Sequence, residues 1–258
     1  MNDKNINLIA NNLVRAFLKN KVIRPIPGRY SKKIAQANRL RKLCESKIKK
    51  PIIGFKAGGT GISVLKKLKE REPFYATVYK HNCLKNKKNV KINKYTLGIE
   101  LEVCFLIKKS FFAFQKNITK KNISRYISHV APCIEVVGYR QRKKGIKSLG
   151  DLCSDFGANV KFVIGAKKKY KNIKTNNLQT NISNHKINQS IDGNTNTVYV
   201  NPVNSLIFVL TKLRKDKIIL NKNFYVFTGS TVGVVPILKK GFYKGKIENL
   251  GTVMTKII

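Results

Sequence analysis

Carboxylates are what this chain has least of. Its 258 residues carry 12 Asp and Glu against 53 Lys and Arg, a formal net charge of +41. Cysteine is sparse too: Cys44, Cys83, Cys104, Cys133 and Cys153 form no CxxC pair and are odd in number. That spacing argues against a disulfide framework, and a reducing cytoplasm is the expected compartment. No stretch approaches the roughly 18 uninterrupted apolar residues of a membrane span. The opening "MNDKNINLIANNLVRAFLKN" has no apolar h-region, so no signal peptide is expected.

What is present is enough for a globular protein. Apolar residues make up 42% of the chain, and its length fits one large domain or two small ones. Charge of this size suggests nucleic acid as a partner. The residues supplying it argue otherwise. Lys provides 43 of the basic residues and Arg 10, and Lys, Ile and Asn together make up 99 of the 258 positions. All three are encoded by A and T alone or nearly so, which points to drift in an AT-rich gene. Lysine also lacks the planar fork that favours bidentate phosphate and base contacts. The basic residues are spread along the chain, with modest runs at 85–88 and 167–174. They read as a solvated surface.

The hydrophobic pattern divides the chain. Ile6, Leu8, Ile9, Leu13, Phe17 and Leu18 recur at helical spacing over 6–19, "RPIPGRY" breaks the pattern, and 31–48 reads as a second helix ended by Pro51. "IIGFKAGGTG" (52–61) reads as a strand running into a glycine turn, and 61–70 as a helix. From about residue 95 the spacing predicts strands at 97–107, 131–137, 160–165, 179–183, 187–191, 196–200, 224–228, 232–237 and 242–247. Helices are expected at 203–214 and 121–130, with hairpin corners at 183–185 and 192–194. The expected organisation is a helical N-terminal region, 1–50, and a larger, β-rich domain, 51–258.

Three of the scarce acids fall in apolar strands: Glu100 and Glu102 in "TLGIELEVCFLI", and Glu135 in "HVAPCIEVVGY". Residues two apart on a strand share a face, so Glu100 and Glu102 project together, about 7 Å apart along the backbone. Part-buried, such a pair repels itself unless a cation compensates, and an all-oxygen carboxylate cluster suits a hard divalent ion. The alternative is an outward, solvated face with Leu101 and Val103 pointing inward. Spacing alone leaves both readings open.

Taken in order, a set of short stretches resembles the 2-keto-4-pentenoate hydratase family of the fumarylacetoacetate hydrolase superfamily. They are "IIGFKAGGT", "REP" (71–73), "LGIELEVCFLI", "APCIEVVGYR", "DFGANVKFVIG", "NPVNSLIFVLTKL", "FYVFTGSTVGVVPI" and "IENLGTVMTKI". The resemblance implies an α+β fold: a mixed β-sandwich or roll of the fumarylacetoacetate hydrolase C-terminal type with a small helical N-terminal part. It implies a homo-oligomer and one divalent metal, Mg²⁺ or Mn²⁺, held by Glu100, Glu102 and Glu135. It places Lys56 and Asp155 among the catalytic residues and Gly58, Thr228, Gly229 and Ser230 at the substrate. The implied reaction is hydration of a 2-hydroxy-2,4-dienoate or 2-oxo-alkenoate to a 4-hydroxy-2-oxo acid. A 4-oxalocrotonate-type decarboxylase shares the same set.

Each assignment has a plainer counterpart. Lys56 is otherwise one more surface lysine, Asp155 a residue holding its own loop, and Thr228 and Ser230 caps of a turn. "KAGGTG" is not a phosphate loop, since GxxxxGK[ST] is absent. The chain departs from the family at Phe74, where some hydratases carry an acid, and at Ala158 and Asn159, where many carry serines. Relatives that hydrolyse C–C bonds use a His–Glu pair, and His81, His129 and His185 sit at no such position. From another class, an inactive, basic nucleic-acid-binding derivative of the fold has no use for three inward acids.

Overall fold

Ile6, Ala10, Leu13 and Phe17 form the buried stripe of the first helix, while Leu8, at 60% exposure, falls outside it. The architecture comes from a computed structural model describing residues 4–141, 146–171 and 173–258. Helices α1 (Lys4–Lys19) and α2 (Ile34–Ser46) come first, then β1 (Ile52–Gly58), α3 (Ile62–Lys67), β2 (Phe74–Tyr79), β3 (Cys83–Lys85) and β4 (Asn89–Val90). The long strands β5 (Thr96–Ile107) and β6 (Ile127–Gly138) flank α4 (Lys120–Ile123). Next come α5 (Leu149–Ser154), β7 (Asn159–Ile164), β8 (Lys168–Lys169), β9 (Gln179–Asn184) and β10 (Gln189–Asn194). The chain closes with α6 (Pro202–Lys215), β11 (Phe224–Ser230), β12 (Gly241–Ile247) and β13 (Gly251–Ile257).

The strands build two sheets, which with the helices make an α+β fold. One is mixed, in the order β2-β1-β11-β5-β6-β7-β3 with β8 beside β6; the other runs β10-β9-β12-β13-β4. On β5 the alternation predicted by strand geometry sorts the residues. Leu101, Val103 and Phe105 join the main core with Ile134 and Val136 of β6 and Tyr243, Val253 and Ile257 of the second sheet. The opposite face turns Glu100, Glu102 and Cys104 toward a smaller cluster of Val78, Cys104, Cys133, Phe162 and Phe227. Helices α1 and α2 share a further cluster with Tyr79 and Phe156, so the N-terminal helices pack on β2 and the 156–158 turn.

Several expectations are corrected. Over 121–130 the helix stops at Ile123, a 3-10 turn follows, and β6 begins at Ile127 because its apolar run finds the partner β5. Residues 196–200 are not a strand: Asn194 caps a 3-10 turn at Thr195–Thr197 by accepting the Asn196 N–H, and Tyr199 and Val200 adopt positive φ. Segment 232–237 makes only an isolated bridge, Ile99 to Val235. The Asp192–Gly193–Asn194 corner lies inside β10, since the hairpin turns earlier through His185–Asn188. Strands β2 and β13 went unpredicted.

Candidate metal centre and its cavity

Antiparallel register does the assembling. Glu100 sits opposite Glu135 across β5 and β6, and Glu102 lies one step along the same face, opposite Cys133. One carboxylate oxygen from each of Glu100, Glu102 and Glu135 lies within 4.8 Å of the others. Glu102 and Glu135 have no exposed surface and Glu100 is partly buried, so the solvated-face reading of "ELE" does not hold.

Lys56 reaches the cluster from β1. Its Nζ lies 2.7 Å from both oxygens of Glu135 and donates to the Gly157 carbonyl at 3.1 Å. Of the 43 lysines it is the one that is buried among the described residues, which separates it from the surface population. Burial works against its charge, but Glu135, then Glu100 and Glu102, outweigh that and raise its pKa. Burial pushes the carboxyls the other way. Glu100 rises to about 7, with Glu135 adding to the effect, and Glu102 rises to about 7 against the pull of Lys56. Glu135 is raised well above the ordinary value, again by burial first and against Lys56.

The donor set fits a divalent cation on two counts. Three carboxylates and one ammonium leave two negative charges uncompensated, which a dication cancels. Both Glu102 oxygens are buried and accept no hydrogen bond of good geometry among the described residues, although the Gly229 amide and the Glu135 carboxyl lie beside them. A buried carboxylate without donors is costly unless a cation serves it. Hard oxygen donors of this kind suit a hard divalent cation.

The cluster opens on a cavity of about 460 Å³ lined by Lys56, Glu100 and the 57–61 turn on one side and by 229–234 on the other. Gly58 and Gly229 both line it. A side chain at Gly58 would strike the Phe74 ring, and Gly229 has φ +105° with Thr60 packed where a Cβ would stand. Ser230 also lines the cavity, with its hydroxyl donating to the Gly233 carbonyl at 2.7 Å. Thr228 does not line it. Its hydroxyl donates to Val103 O at 2.8 Å and ties β11 to β5.

Asp155 is likewise away from the cavity wall. It is fully buried and accepts the Arg140 backbone N–H and Nη1, the latter at 3.0 Å. Arg140 Nη2 continues to Asn159 O, and Asn159 Nδ2 donates to Phe156 O, each at 2.6 Å. Phe156, Gly157 and Ala158 all have positive φ, a costly run that this network holds in place. Asp155 therefore positions the turn that presents the Gly157 carbonyl to Lys56. Sequence reasoning missed Arg140 and Gly157, although "GYR" and "DFGA" contain them. Phe74 packs against Gly58 and Gly157 at the cavity wall, and none of the three histidines lines it.

No family model matches the chain, and no curated protein matches it. Solved structures do. The chain is similar to 4-oxalocrotonate decarboxylase from Pseudomonas putida G7 complexed with magnesium and adipate, with TM-score 0.86, 16% identity and coverage of 100% of this chain and 99% of that one. It is similar to 5-carboxymethyl-2-hydroxymuconate delta-isomerase from Mycobacterium smegmatis, with TM-score 0.57 and 13% identity over 81% of this chain and 80% of that one. A fumarylacetoacetate hydrolase family protein from Yersinia pestis CO92 gives 0.55 and 16% over 82% and 95%. At these identities the likenesses establish the fold, which this chain shares with those structures.

Proposed function

We propose that the chain is a metal-dependent lyase acting on a small 2-oxo or 2-hydroxy-dienoate acid, and specifically a hydratase. The observation that carries this reading is the convergence of Glu100, Glu102 and Glu135 beside Lys56 at the wall of a ligand-sized cavity. When bound there, a divalent ion supplies Lewis acidity and a template for the substrate's carboxylate and 2-oxygen.

The chain's own groups do the rest. Lys56 Nζ, steadied by Glu135 and Gly157 O, is placed to protonate the 2-oxygen or to stabilise it as an enolate. In the hydration, a 2-hydroxy-2,4-dienoate gains a proton at C5 and loses its enol O–H proton. Water then adds hydroxyl at C4 and hydrogen at C3. Phe74 supplies no acid, so proton movement falls to Lys56 and the glutamates. The absence of a cavity histidine among the described residues favours hydration over C–C hydrolysis by a His–Glu pair.

With Mg²⁺ or Mn²⁺, purified protein should consume 2-hydroxypenta-2,4-dienoate, followed by loss of dienoate absorbance. Glu102→Ala should lower that rate at least ~10³-fold, a barrier increase of about 4 kcal/mol. Wild type without turnover, or full turnover in the variant, refutes the proposal. A second reading, decarboxylation, is favoured by the full-length likeness to 4-oxalocrotonate decarboxylase. Release of CO₂ from 4-oxalocrotonate without conversion of the pentadienoate identifies it.

A further inference from the structure

A second cavity, of about 350 Å³, shares no lining residue with the first. It is a groove between α1 and the segment 21–27, where Pro25 and Pro27 prevent the helix from resuming. Ile9 and Ala16 of α1 and Val22 and Ile23 of the segment give it apolar walls, and Arg15, Lys21 and Arg24 bring it three cations. Among the described residues none of these three forms an ion pair or a side-chain hydrogen bond. Outside the described residues the chain holds one acid, Asp3, and the sequence after Gln141, Arg142 to Lys144, carries positive charge only. The lysine-rich surface is no sufficient explanation. Two of the three cations are arginines in a chain of 43 lysines and 10 arginines, and the guanidinium fork grips a carboxylate or phosphate at two points. Apolar walls with unpaired cations suit a small amphipathic anion.

Both walls end on groups that shape the metal-site cavity. Phe17, next to Ala16, has its ring 4.4 Å from that of Phe156 and 4.9 Å from the Arg140 guanidinium. Across the groove, Ile23 N donates to Arg140 O at 2.9 Å and Ile26 N to Gln141 Oε1 at 3.2 Å. Arg140 holds Asp155 and Asn159 around the 156–158 turn, whose residues have φ of +53°, +70° and +59°. A run of this kind persists only while its surroundings hold it.

We propose that the groove is an effector site for a small organic anion, a phosphate or carboxylate head on an apolar body. Filling it joins α1 to the segment 21–27 and steadies the 156–158 turn, and with it the Gly157 carbonyl to which Lys56 donates. The head pairs with Arg15 and Arg24, and the body lies against the apolar walls. The groove does not depend on the function proposed above; only the value of steadying Lys56 does.

Calorimetric titration of the full chain in EDTA, which leaves the carboxylate cluster to repel anions, compares hexyl phosphate with inorganic phosphate and hexanoate with acetate. At about 0.15 M salt the Debye length is about 8 Å, which damps the general positive field. Each buried methylene is worth roughly fourfold in affinity, so at least one hexyl compound should bind about tenfold or more tightly than its bare ion. Which of the two does so distinguishes a phosphate ester from a carboxylic acid. Arg15→Gln and Arg24→Gln should each weaken that binding about fivefold, and Lys222→Gln, an exposed change elsewhere, should not. Bare ions that bind as tightly as the hexyl compounds, or three variants that behave alike, overturn the site. Hydrogen exchange read by mass spectrometry tests the coupling. With the ligand bound, exchange over 155–159, where Ala158 N donates to Asp155 O at 2.8 Å, should slow about threefold or more while β12 and β13 stay unchanged. Binding without that selective slowing overturns the effector role. Neither readout involves turnover, so failure here leaves the hydratase proposal standing, and an inactive enzyme leaves the groove standing.

Discussion

Glu102 carries the strongest demand in the molecule at the scale of one residue, being a fully buried carboxylate with no good donor. Together with Glu100 it answers that demand in the metal-free chain by holding protons, its pKa lifted from 4.5 to about 7. The sign follows from linkage. An acid whose folded-state pKa lies above its unfolded value stabilises the fold fully below that unfolded value and loses the contribution as pH rises through about 7. A cation must displace those protons to bind. The stabilisation on adding Mg²⁺, read as a rise in Tm, should therefore be small at about pH 5.5 and large at about pH 8, where it reaches about 2.7 kcal/mol at a hundredfold excess over Kd. Glu102→Ala should abolish it at both. Scanning calorimetry that shows an equal increment at the two pH values contradicts this account. Asp155 shows the limit of reading residues singly. Its place in "DFGA" was visible, but its partner Arg140 lies 15 positions earlier and became evident only in three dimensions.

Among the elements, the sequence was most legible where one physical pattern dominated. Strand β5 declared itself by alternation, and its two acids by being out of place in it. Glu135 could be recognised as apolar-flanked, but not that β6 would set it opposite Glu100. Elements decided by a partner were lost: β2 is too uniformly apolar to show a period, and β13 is a strand because β12 pairs with it. Helix α2 shows how the N-terminal region is fastened to the β-rich part. Arg41 is fully buried, its guanidinium 4.3 Å over the Tyr75 ring, and its Nη1 donates to Glu45 at 2.6 Å. Glu45 also accepts the Thr77 backbone N–H at 2.9 Å, so one carboxylate joins α2 to β2. Glu45→Ala leaves a buried cation and an amide unpaired, at a cost of ~3 kcal/mol. Chemical denaturation should show that loss, and adding Arg41→Met should recover part of it. If the single change is neutral, the helix is held by its apolar contacts alone.

For the molecule as a whole, charge and site give different answers about partners. A net +41 attracts polyanions at long range, whatever the fold beneath it does. The structure buries one lysine of the 43 among the described residues, and that one belongs to the carboxylate cluster. Among the described residues the other lysines form a surface without a reading element, so attraction to nucleic acid should be electrostatic and indifferent to sequence. Such binding follows counterion release, falling as log K against log salt with a slope of about −0.9 per phosphate neutralised. Fluorescence anisotropy with a labelled DNA duplex should thus show binding at about 50 mM salt that weakens ~10³-fold or more by about 200 mM. A scrambled duplex should behave the same. 2-Oxohexanoate with Mg²⁺ should not compete, because the cavity and the lysine surface are separate places. Binding that survives at the higher salt, prefers one sequence and is displaced by the 2-oxo acid would make the basic surface part of the function.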